Sequence, residues 1–419
     1  MRRKLVFGGV GLVLLLCLAK PFPVLALGIG QCHVGNIYNS PHVAWTYPSG
    51  EVLWSKLNPQ DGVFDFSNLD AEIEKNKSRG EKIWIQVLAD QPYYTKDTQG
   101  HCLDVVPRWL KDEGLPVHEW TDNYGQKCID SVDPWHPLYR QKLQELIYQM
   151  HKRYEIDRWP DYQNTLEAVL LMAGGNYGEM VLDGNKKDLL LTWMAQKTGV
   201  SKADLAVQRP DGSYVLDDYF ALEVQSIADL YAQTFRKLPV VLQIGTGLGY
   251  STNTTKKVTD YLAPRWKNHL WFKFNGWGTD LSVDNNVFKV MQNYADITLN
   301  HVEQGHPDQW CGADKASHNA QAVSMALGTS YPFVRSVSAC ILLQVIQAGA
   351  SCPIDYSVLS SGLAQNLQTD QSKGLYPVPT LAPAAASKSE IIVHLYRPES
   401  QYDLNFDGEV NTLDFSLTH

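Results

Sequence analysis

Short apolar runs that end at glycine recur along the chain, and the run at residues 168–172 is the clearest of them. It is uninterrupted and is followed by Gly174. A run of this length is typical of a strand buried on both faces, and a glycine beyond it favours the end of the strand. The polar side chains of Asn176, Tyr177 and Glu179 come next. In parallel β/α proteins, catalytic groups lie at this position, just past a strand.

Strands and helices alternate in the predicted pattern. Strands are predicted at residues 43–47, 51–58, 82–89, 166–173, 240–245, 269–275 and 297–303, with a last one at 331–334 or 341–345. Helices are predicted at residues 69–79, 138–154, 217–236, 256–262, 287–294 and 316–327. Ser67 is the expected N-cap of the first helix, and Gly80 its expected end. Alternation predicts an α/β protein with a parallel sheet, and eight strands close a (β/α)8 TIM barrel, here over residues 27–370.

Two parts of the pattern depart from a regular barrel. Too few residues separate the first two predicted strands for a helix between them. Either residues 28–40 supply part of the first strand, or the barrel is irregular at its start. Residues 91–137 have no clear period, and a segment of this kind inside a domain is typical of a functional loop.

The first residues have the order of a secretory signal. Basic residues 2–4 precede the apolar residues 5–19, and small residues at 24–26 suit cleavage. We expect residues 1–26 to be a signal peptide and the protein to be secreted or extracellular, with a retained membrane anchor as the alternative. A lipoprotein signal at Cys17 is disfavoured because Leu15 and Leu16 precede it. No later segment is long and apolar enough to span a bilayer, so we expect no membrane contact after cleavage.

Charge and aromatic content narrow the class of partner. The net charge is −9 with 19% charged residues, which argues against a nucleic acid or an anionic membrane as the main partner. The chain has 12 Trp, 21 Tyr and 12 Phe. Such rings pack in any core, but exposed Trp faces also stack on sugars, which favours a carbohydrate cleft.

The cysteines predict disulfides rather than a metal site. Six remain after the signal: Cys32, Cys102, Cys128, Cys311, Cys340 and Cys352. An even number in an exported chain predicts up to three disulfides, whose pairing stays open. Their spacing does not match a zinc site.

Two glutamates fall at strand ends on the same predicted edge. Glu179 follows the fourth strand and Glu303 ends the seventh. Two facing carboxylates are what glycosidic cleavage requires, one protonated as general acid and one ionised to attack the anomeric carbon. A separation of about 5 Å implies retention and one of roughly 6.5–9.5 Å inversion. The alternative for Glu179 is a helix cap or an ion pair, and the alternative for Glu303 is an acidic residue at a helix start or with a structural role.

The neighbours of these glutamates could set their protonation states. Apolar and aromatic surroundings such as Tyr177 raise a carboxyl pKa. We expect Lys273, Asn300 and His301 to hold Glu303 ionised.

A segment near the amino terminus carries a family resemblance. Residues 53–70, LWSKLNPQDGVFDFSNLD, resemble the W-S-x-L-x-P-x-x-G-x-Y-D-F-x-x-L-D segment of beta-galactosidase-like glycoside hydrolases of clan A. The resemblance covers roughly residues 54–303. It implies that the acid/base ends the fourth strand and the nucleophile the seventh, which match Glu179 and Glu303.

The resemblance has one departure at the acid/base. Most clan members have Asn immediately before that residue, whereas here Gly178 precedes Glu179 and Asn176 lies two residues further back. Asp183 and Glu167 are the fallback carboxylates, although Glu167 is placed at the wrong end of its strand.

Polar and aromatic residues near the predicted strand ends are candidates for substrate binding. They are Trp54, Asp90, Trp109, Trp135, Asn176, Tyr177, Gln243, Asn275, Trp277 and His301. Trp277, between two glycines after the sixth strand, is the best candidate for stacking on a sugar. Each of them could instead be a packing residue.

The composition changes near residue 371. Residues 371–400 contain a Pro/Ala-rich linker. Residues 401–419 carry oxygen ligands at the spacing of an EF-hand calcium loop, at Asp403, Asn405, Asp407, Glu409, Asn411 and Asp414, with Gly408 at the turn. Asp at the last position resembles the repeat of dockerin modules, here a single partial repeat. This resemblance implies Ca²⁺ binding and a cohesin-like scaffold as partner. We expect no cofactor for catalysis.

These observations favour a secreted glycoside hydrolase with a retaining mechanism, acting on an oligo- or polysaccharide. Two alternatives stay open. One is a carbohydrate-binding barrel without catalysis, in which Gly178 marks a lost active site. The other is a surface- or scaffold-attached structural protein whose working part is the tail.

Overall fold

A computed structural model describes the fold of most of the domain. It describes residues 29–31, 45–48, 52–89, 105–121, 127–172, 180, 182, 186–249, 251–275, 286–304, 336–339 and 372. The described strands are β1 (Ile29–Gln31), β2 (Trp45–Thr46), β3 (Lys82–Gln86), β4 (Val117–Thr121), β5 (Lys127–Val132), β6 (Leu166–Leu170), β7 (Val240–Ile244), β8 (Leu270–Asn275), β9 (Asn300–Gln304) and β10 (Ser336–Ala339).

The helices lie between the strands in sequence. The described α-helices are α1 (Trp54–Leu57), α2 (Ser67–Arg79), α3 (Arg108–Asp112), α4 (Pro137–His151), α5 (Trp159–Tyr162), α6 (Lys187–Thr198), α7 (Lys202–Leu205), α8 (Val215–Thr234), α9 (Thr252–Trp266) and α10 (Asn286–Asn293). A π-helical segment, Lys152–Asp157, continues α4.

Eight parallel strands pair in a closed ring, in the order β1-β10-β9-β8-β7-β6-β3-β2. Alternate residues of each strand face opposite sides. Ile83, Leu242 and Phe272 belong to the core shared with the helices, which includes Ile73 of α2 and Phe220 of α8. The prediction of a parallel α/β architecture is therefore confirmed. The helices that would follow β1, β9 and β10 lie outside the described residues, so the complete (β/α)8 repeat stays a prediction.

The prediction of a strand at residues 51–58 is wrong. Leu53 makes a single parallel bridge to Leu88, and the chain then forms one helical turn, α1. Trp54 and Leu57 are both buried on this turn. The first strand of the ring is β1, which lies within residues 28–40. This agrees with the alternative that residues 28–40 supply part of the first strand.

Two other expectations need correction. The last strand is Ser336–Ala339, between the two positions predicted for it. Residues 91–137, which have no clear period and were expected to form a functional loop, contain α3 and an antiparallel pair, β4 with β5.

Helix α2 begins and ends close to its predicted limits. Its first backbone N–H, at Ser67, donates to Asp65 Oδ1 across 2.9 Å, so Ser67 is the first helical residue rather than the N-cap. Hydrogen bonding to Ser67 lowers the pKa of Asp65. At the other end Gly80 adopts φ +70° and closes the helix as expected.

Several expectations fall outside the described residues. They are the signal peptide, the linker, the calcium loop and the proposed disulfides; Cys128 is in β5, but its side chain is not described. Among the helices that are described, none has the length and apolar character to cross a bilayer.

Candidate active site

Strands β7, β8 and β9 bring three polar side chains into one row inside the ring. Gln243, Lys273 and His301 are register partners, and all are at most 2% exposed. Lys273 Nζ donates a hydrogen bond to Gln243 Oε1 across 2.6 Å. A buried ammonium group requires such partners, because an isolated charge is costly in an apolar interior. We call these three residues the polar row.

Aromatic rings form a layer against the polar row. The ring of Trp84 in β3 lies 5.7 Å from that of Trp271, 5.1 Å from that of His301 and 6.1 Å from that of Tyr47, between centroids. Lys273 Nζ lies 5.0 Å from the centroid of Tyr47, a cation–π contact. Trp271 lies two residues before Lys273 in β8. The aromatic side chains therefore fill the interior of the closed sheet on the amino-terminal side of the polar row.

The fallback carboxylate Glu167 lies in this layer at a bulge. Ile83 pairs with Leu166 and Trp84 pairs with Ala168, which leaves Glu167 as the extra residue. Its Oε2 accepts a hydrogen bond from Trp84 Nε1 across 2.9 Å. Burial lowers the pKa of nearby Lys82, and Glu167 opposes that shift. Glu167 is therefore held near the amino-terminal end of β6, away from the edge where Glu303 lies.

Glu303 is at the carboxyl end of β9. Its backbone pairs in register with Asn275 of β8 and Ser338 of β10. Position 303 is two residues beyond His301, so it shares the face that carries the polar row. Glu303 and Asn275 thus occupy neighbouring positions at the edge predicted for catalysis.

Asn300 does not join this group. Its Nδ2 donates to the Met291 carbonyl of α10 across 3.4 Å. Because it is one residue from His301, it occupies the opposite face of β9. The expectation that Asn300 assists Glu303 is therefore wrong, whereas Lys273 and His301 lie on the same face as position 303.

The chain next to Glu179 is fixed against β7. Met180 N donates to the Gln243 carbonyl across 3.2 Å, and Gly247 N donates to the Met180 carbonyl across 2.7 Å. Met180 is fully buried. Other candidates lie outside the described residues: Asp90, Asn176, Tyr177, Glu179, Asp183 and Trp277.

Two tryptophans proposed for substrate binding are packed in the core. Trp54 is 0% exposed and lies edge-on to Tyr139, with 5.3 Å between centroids. Trp135 is 1% exposed, and its ring centroid lies 6.4 Å from that of Phe220. Burial of this degree favours packing over a sugar contact at both positions. Trp109 donates its Nε1 hydrogen to the Asn58 carbonyl and is partly buried.

The metal-binding expectation rests on residues outside the described part of the chain, from Asp403 to Asp414. Within the described part, no three or more His, Cys, Asp or Glu side chains are grouped as metal ligands would be.

Sequence reasoning missed the aromatic layer. Tyr47, Trp84 and Trp271 were placed in strands but not assigned a face. Alternate residues of a strand lie on the same face, so assigning Lys273 to the interior of the sheet would also have placed Trp271 there. The bulge at Glu167 had no signal in the sequence.

No protein-family model and no curated protein matches the chain. Among solved structures, the catalytic domain of beta-amylase from Paenibacillus polymyxa is similar at 12% identity and a TM-score of 0.48, covering 82% of this chain and 98% of that one. The beta-galactosidase from Marinomonas ef1 is similar at 13% identity and a TM-score of 0.43, covering 84% of this chain and 62% of that one.

A beta-galactosidase from Halorubrum lacusprofundi is similar at 14% identity and a TM-score of 0.44, covering 81% of this chain and 58% of that one. The chain therefore spans less than two thirds of the length of both beta-galactosidases. These structural neighbours are glycoside hydrolases of low identity to the chain.

Proposed function

We propose that the chain is a glycoside hydrolase in which Glu303 is the nucleophile and Glu179 the general acid/base. The observation that carries this proposal is the position of Glu303. It lies at the carboxyl end of β9, paired with Asn275, on the face of the polar row. A carboxylate at that edge of a parallel ring of strands is where a substrate can reach it.

The polar row supports an ionised Glu303. The buried ammonium group of Lys273 belongs to the neighbouring strand, and its register partner His301 is two residues before Glu303. A nearby positive charge favours the charged form of a carboxyl group and so lowers its pKa. A nucleophile must be ionised to attack, so this placement suits the role.

The reaction proceeds in two steps. Glu179 donates its proton to the glycosidic oxygen while a Glu303 oxygen attacks the anomeric carbon, so that the bond to the leaving alcohol breaks and a glycosyl ester forms. Glu179, now ionised, then takes a proton from a water molecule whose oxygen displaces Glu303. Both carboxyl groups return to their starting states, and the anomeric configuration is retained.

Hydrolysis by the full-length protein tests the proposal. The substrates are 4-nitrophenyl α- and β-glycosides of common hexoses and pentoses, with starch, galactan and xylan as polymers. We expect cleavage that is lost in Glu179→Gln and in Glu303→Gln but kept in the control Glu113→Gln, an exposed residue just beyond α3. Equal activity in all four proteins would contradict both assignments. Retention is tested by NMR of the anomer first released.

We also propose that the protein is exported and that residues 401–419 bind Ca²⁺ as part of a scaffold attachment. The support is the spacing of Asp403, Asp407 and Asp414 around Gly408. Calorimetric titration of the full-length protein with Ca²⁺ should give heat of binding that is absent in Asp403→Ala. Identical titrations of the two proteins would contradict the calcium site.

A further inference from the structure

One buried carboxylate holds the loop that follows β7. Asp217, in the first turn of α8, is fully buried. Its Oδ1 accepts from Leu248 N across 2.8 Å, and its Oδ2 accepts from Tyr214 N across 2.8 Å and from Gly249 N across 3.3 Å. Burial raises the pKa of Asp217, and these donated N–H groups oppose the shift.

The two glycines of the loop lie too close to Asp217 and to Gly212 to carry a side chain. Gly247 adopts φ +67°, and a Cβ there would lie 2.6 Å from Asp217 Oδ1. A Cβ at Gly249 would lie 2.2 Å from the Gly212 carbonyl oxygen. Real Cβ atoms essentially never come this close to another heavy atom, so a side chain at either glycine would force the loop or its neighbours in α8 and at Gly212 to move.

The same loop holds the chain beside the proposed acid. Gly247 N donates to the Met180 carbonyl, and Met180 N donates to the carbonyl of Gln243, a member of the polar row. Asp217 and Met180 are thus hydrogen-bonded to adjacent residues of the same loop, Asp217 to Leu248 and Gly249 and Met180 to Gly247. Consecutive Cα atoms are only about 3.8 Å apart, so a shift of Met180 moves its neighbour Glu179 as well.

We propose that Asp217 is a positioning residue that sets the reach of Glu179 to the leaving oxygen. This role rests on the proposed function of Glu179. A general acid must lie within about 2.6–3.2 Å of the atom that it protonates. A displacement of about 1 Å transmitted from a distant substitution lowers the rate by roughly 100-fold.

Asp217 also belongs to the capping box of α8 with Tyr214. A capping role alone would affect stability and would reduce turnover of every substrate equally. A role in placing the acid has a different signature, because it depends on how much the leaving group needs a proton. Dinitrophenolate leaves without protonation, whereas an alkyl alcohol does not leave without it.

The test compares Asp217→Asn with the matched control Asp218→Asn. Asp218 is the next residue, and its substitution by Asn removes the same charge. Its carboxylate forms ion pairs with Arg209 and Lys257 at the surface, whereas that of Asp217 binds the loop. Full-length proteins are assayed with the sugar that the wild type cleaves, carried on a 2,4-dinitrophenyl and on a methyl aglycone. For Asp217→Asn we expect kcat/KM to fall about 10- to 100-fold with the methyl glycoside and to stay near wild type with the dinitrophenyl glycoside. Asp218→Asn should behave as wild type with both.

The outcomes separate the two proposals. Equal loss with both aglycones, or no loss with either, in a protein whose wild type is active would overturn the role of Asp217 alone. A wild type that cleaves neither glycoside of any sugar in the panel would overturn the proposed function, and the role of Asp217 with it. If Asp217→Asn does not fold, Asp217→Glu is the second variant, because it keeps the charge but displaces the carboxylate by one methylene. It should give the same contrast between the two aglycones.

Discussion

Trp84 Nε1 donates a hydrogen bond across 2.9 Å to Oε2 of Glu167, the residue at which β6 bulges. The indole is fully buried and Glu167 is 7% exposed. The bulge turns an acidic side chain into the interior, and the indole N–H satisfies one of its oxygens. A polar pair in this setting is stabilising only while both partners are present.

Removing the donor should therefore destabilise the fold. Trp84→Phe leaves Glu167 Oε2 without this partner, and we expect a coupling energy of about 1–3 kcal/mol between Trp84→Phe and Glu167→Ala in a double-mutant cycle. The measurement is the free energy of unfolding in guanidinium chloride. The control is Trp266→Phe, which removes a similar bond to Asp229 in a partly exposed site. It should lower the free energy of unfolding by less than Trp84→Phe does. A coupling energy near zero at Trp84 would show that the bond does not stabilise the ring of strands.

Lys273 should govern the pH dependence of hydrolysis. Lys273→Met keeps the apolar stem and removes the charge, so the pKa of Glu303 should rise. Because the nucleophile works only when ionised, activity would then be lost at a higher pH as the solution is acidified, and the acidic limb of the kcat/KM profile should move up by about 1 unit.

The control for this shift is Lys82→Met. Lys82 is the first residue of β3, at the amino-terminal end of the ring and beside Glu167. Its loss should leave the acidic limb in place. The same limb in Lys273→Met and wild type would contradict electrostatic support of Glu303 by Lys273.

The strands that could be predicted are those whose sequence carries a strong apolar run. β6 is buried at all five positions and is therefore apolar almost throughout. β1 has three residues and β10 reads Ser-Val-Ser-Ala, so neither is long or apolar enough to form a pattern. In α1, a single helical turn brings Trp54 and Leu57 into the core, and so short an apolar run does not distinguish a turn from a strand.

The candidate site, like the strands, could be predicted only in part. The position of Glu303 at a strand end follows from the sequence, since strand ends are marked by composition. Which residues share a face does not follow, because a shift of one residue exchanges the two sides, as Asn300 and His301 demonstrate. The link from Asp217 to residues 247–249 joins segments about 30 positions apart and depends on tertiary packing that no local pattern encodes.

Asp133 should make the free energy of unfolding depend on pH between about pH 4 and pH 6. Burial raises its pKa to about 6, against attraction from Lys197 and hydrogen bonding from Trp135. A raised pKa in the folded state means that its contribution is fully present below the unfolded value near 3.8 and is lost as the pH rises through about 6. Asp133→Asn still accepts the bond from Trp135 N but carries no charge.

We therefore expect Asp133→Asn to be more stable than wild type at pH 8, by up to roughly 3 kcal/mol for a shift of about two units, and similar to it at pH 4. Unfolding in guanidinium chloride at both values measures the difference. Asp112→Asn, at the exposed end of α3, should show no such dependence. A stability difference that is the same at pH 4 and pH 8 would mean that the charge of Asp133 is not the cause.

Glu155 should be among the residues most important for stability, because it joins the π-helical segment to the chain that enters β7. Its carboxylate, 1% exposed, accepts from the backbone N–H groups of Arg236 and Lys237 across 2.7 Å and of Leu238 across 2.6 Å. Glu155→Ala would remove the carboxylate acceptor of these three N–H groups, at about 1–3 kcal/mol each where they stay buried, so we expect the free energy of unfolding to fall by at least roughly 3 kcal/mol. Asp157→Ala, exposed in the same segment, should change the free energy of unfolding by less than about 0.5 kcal/mol. Comparable losses in the two variants would mean that the helical segment as a whole, and not the bonds of Glu155, sets the stability of this connection.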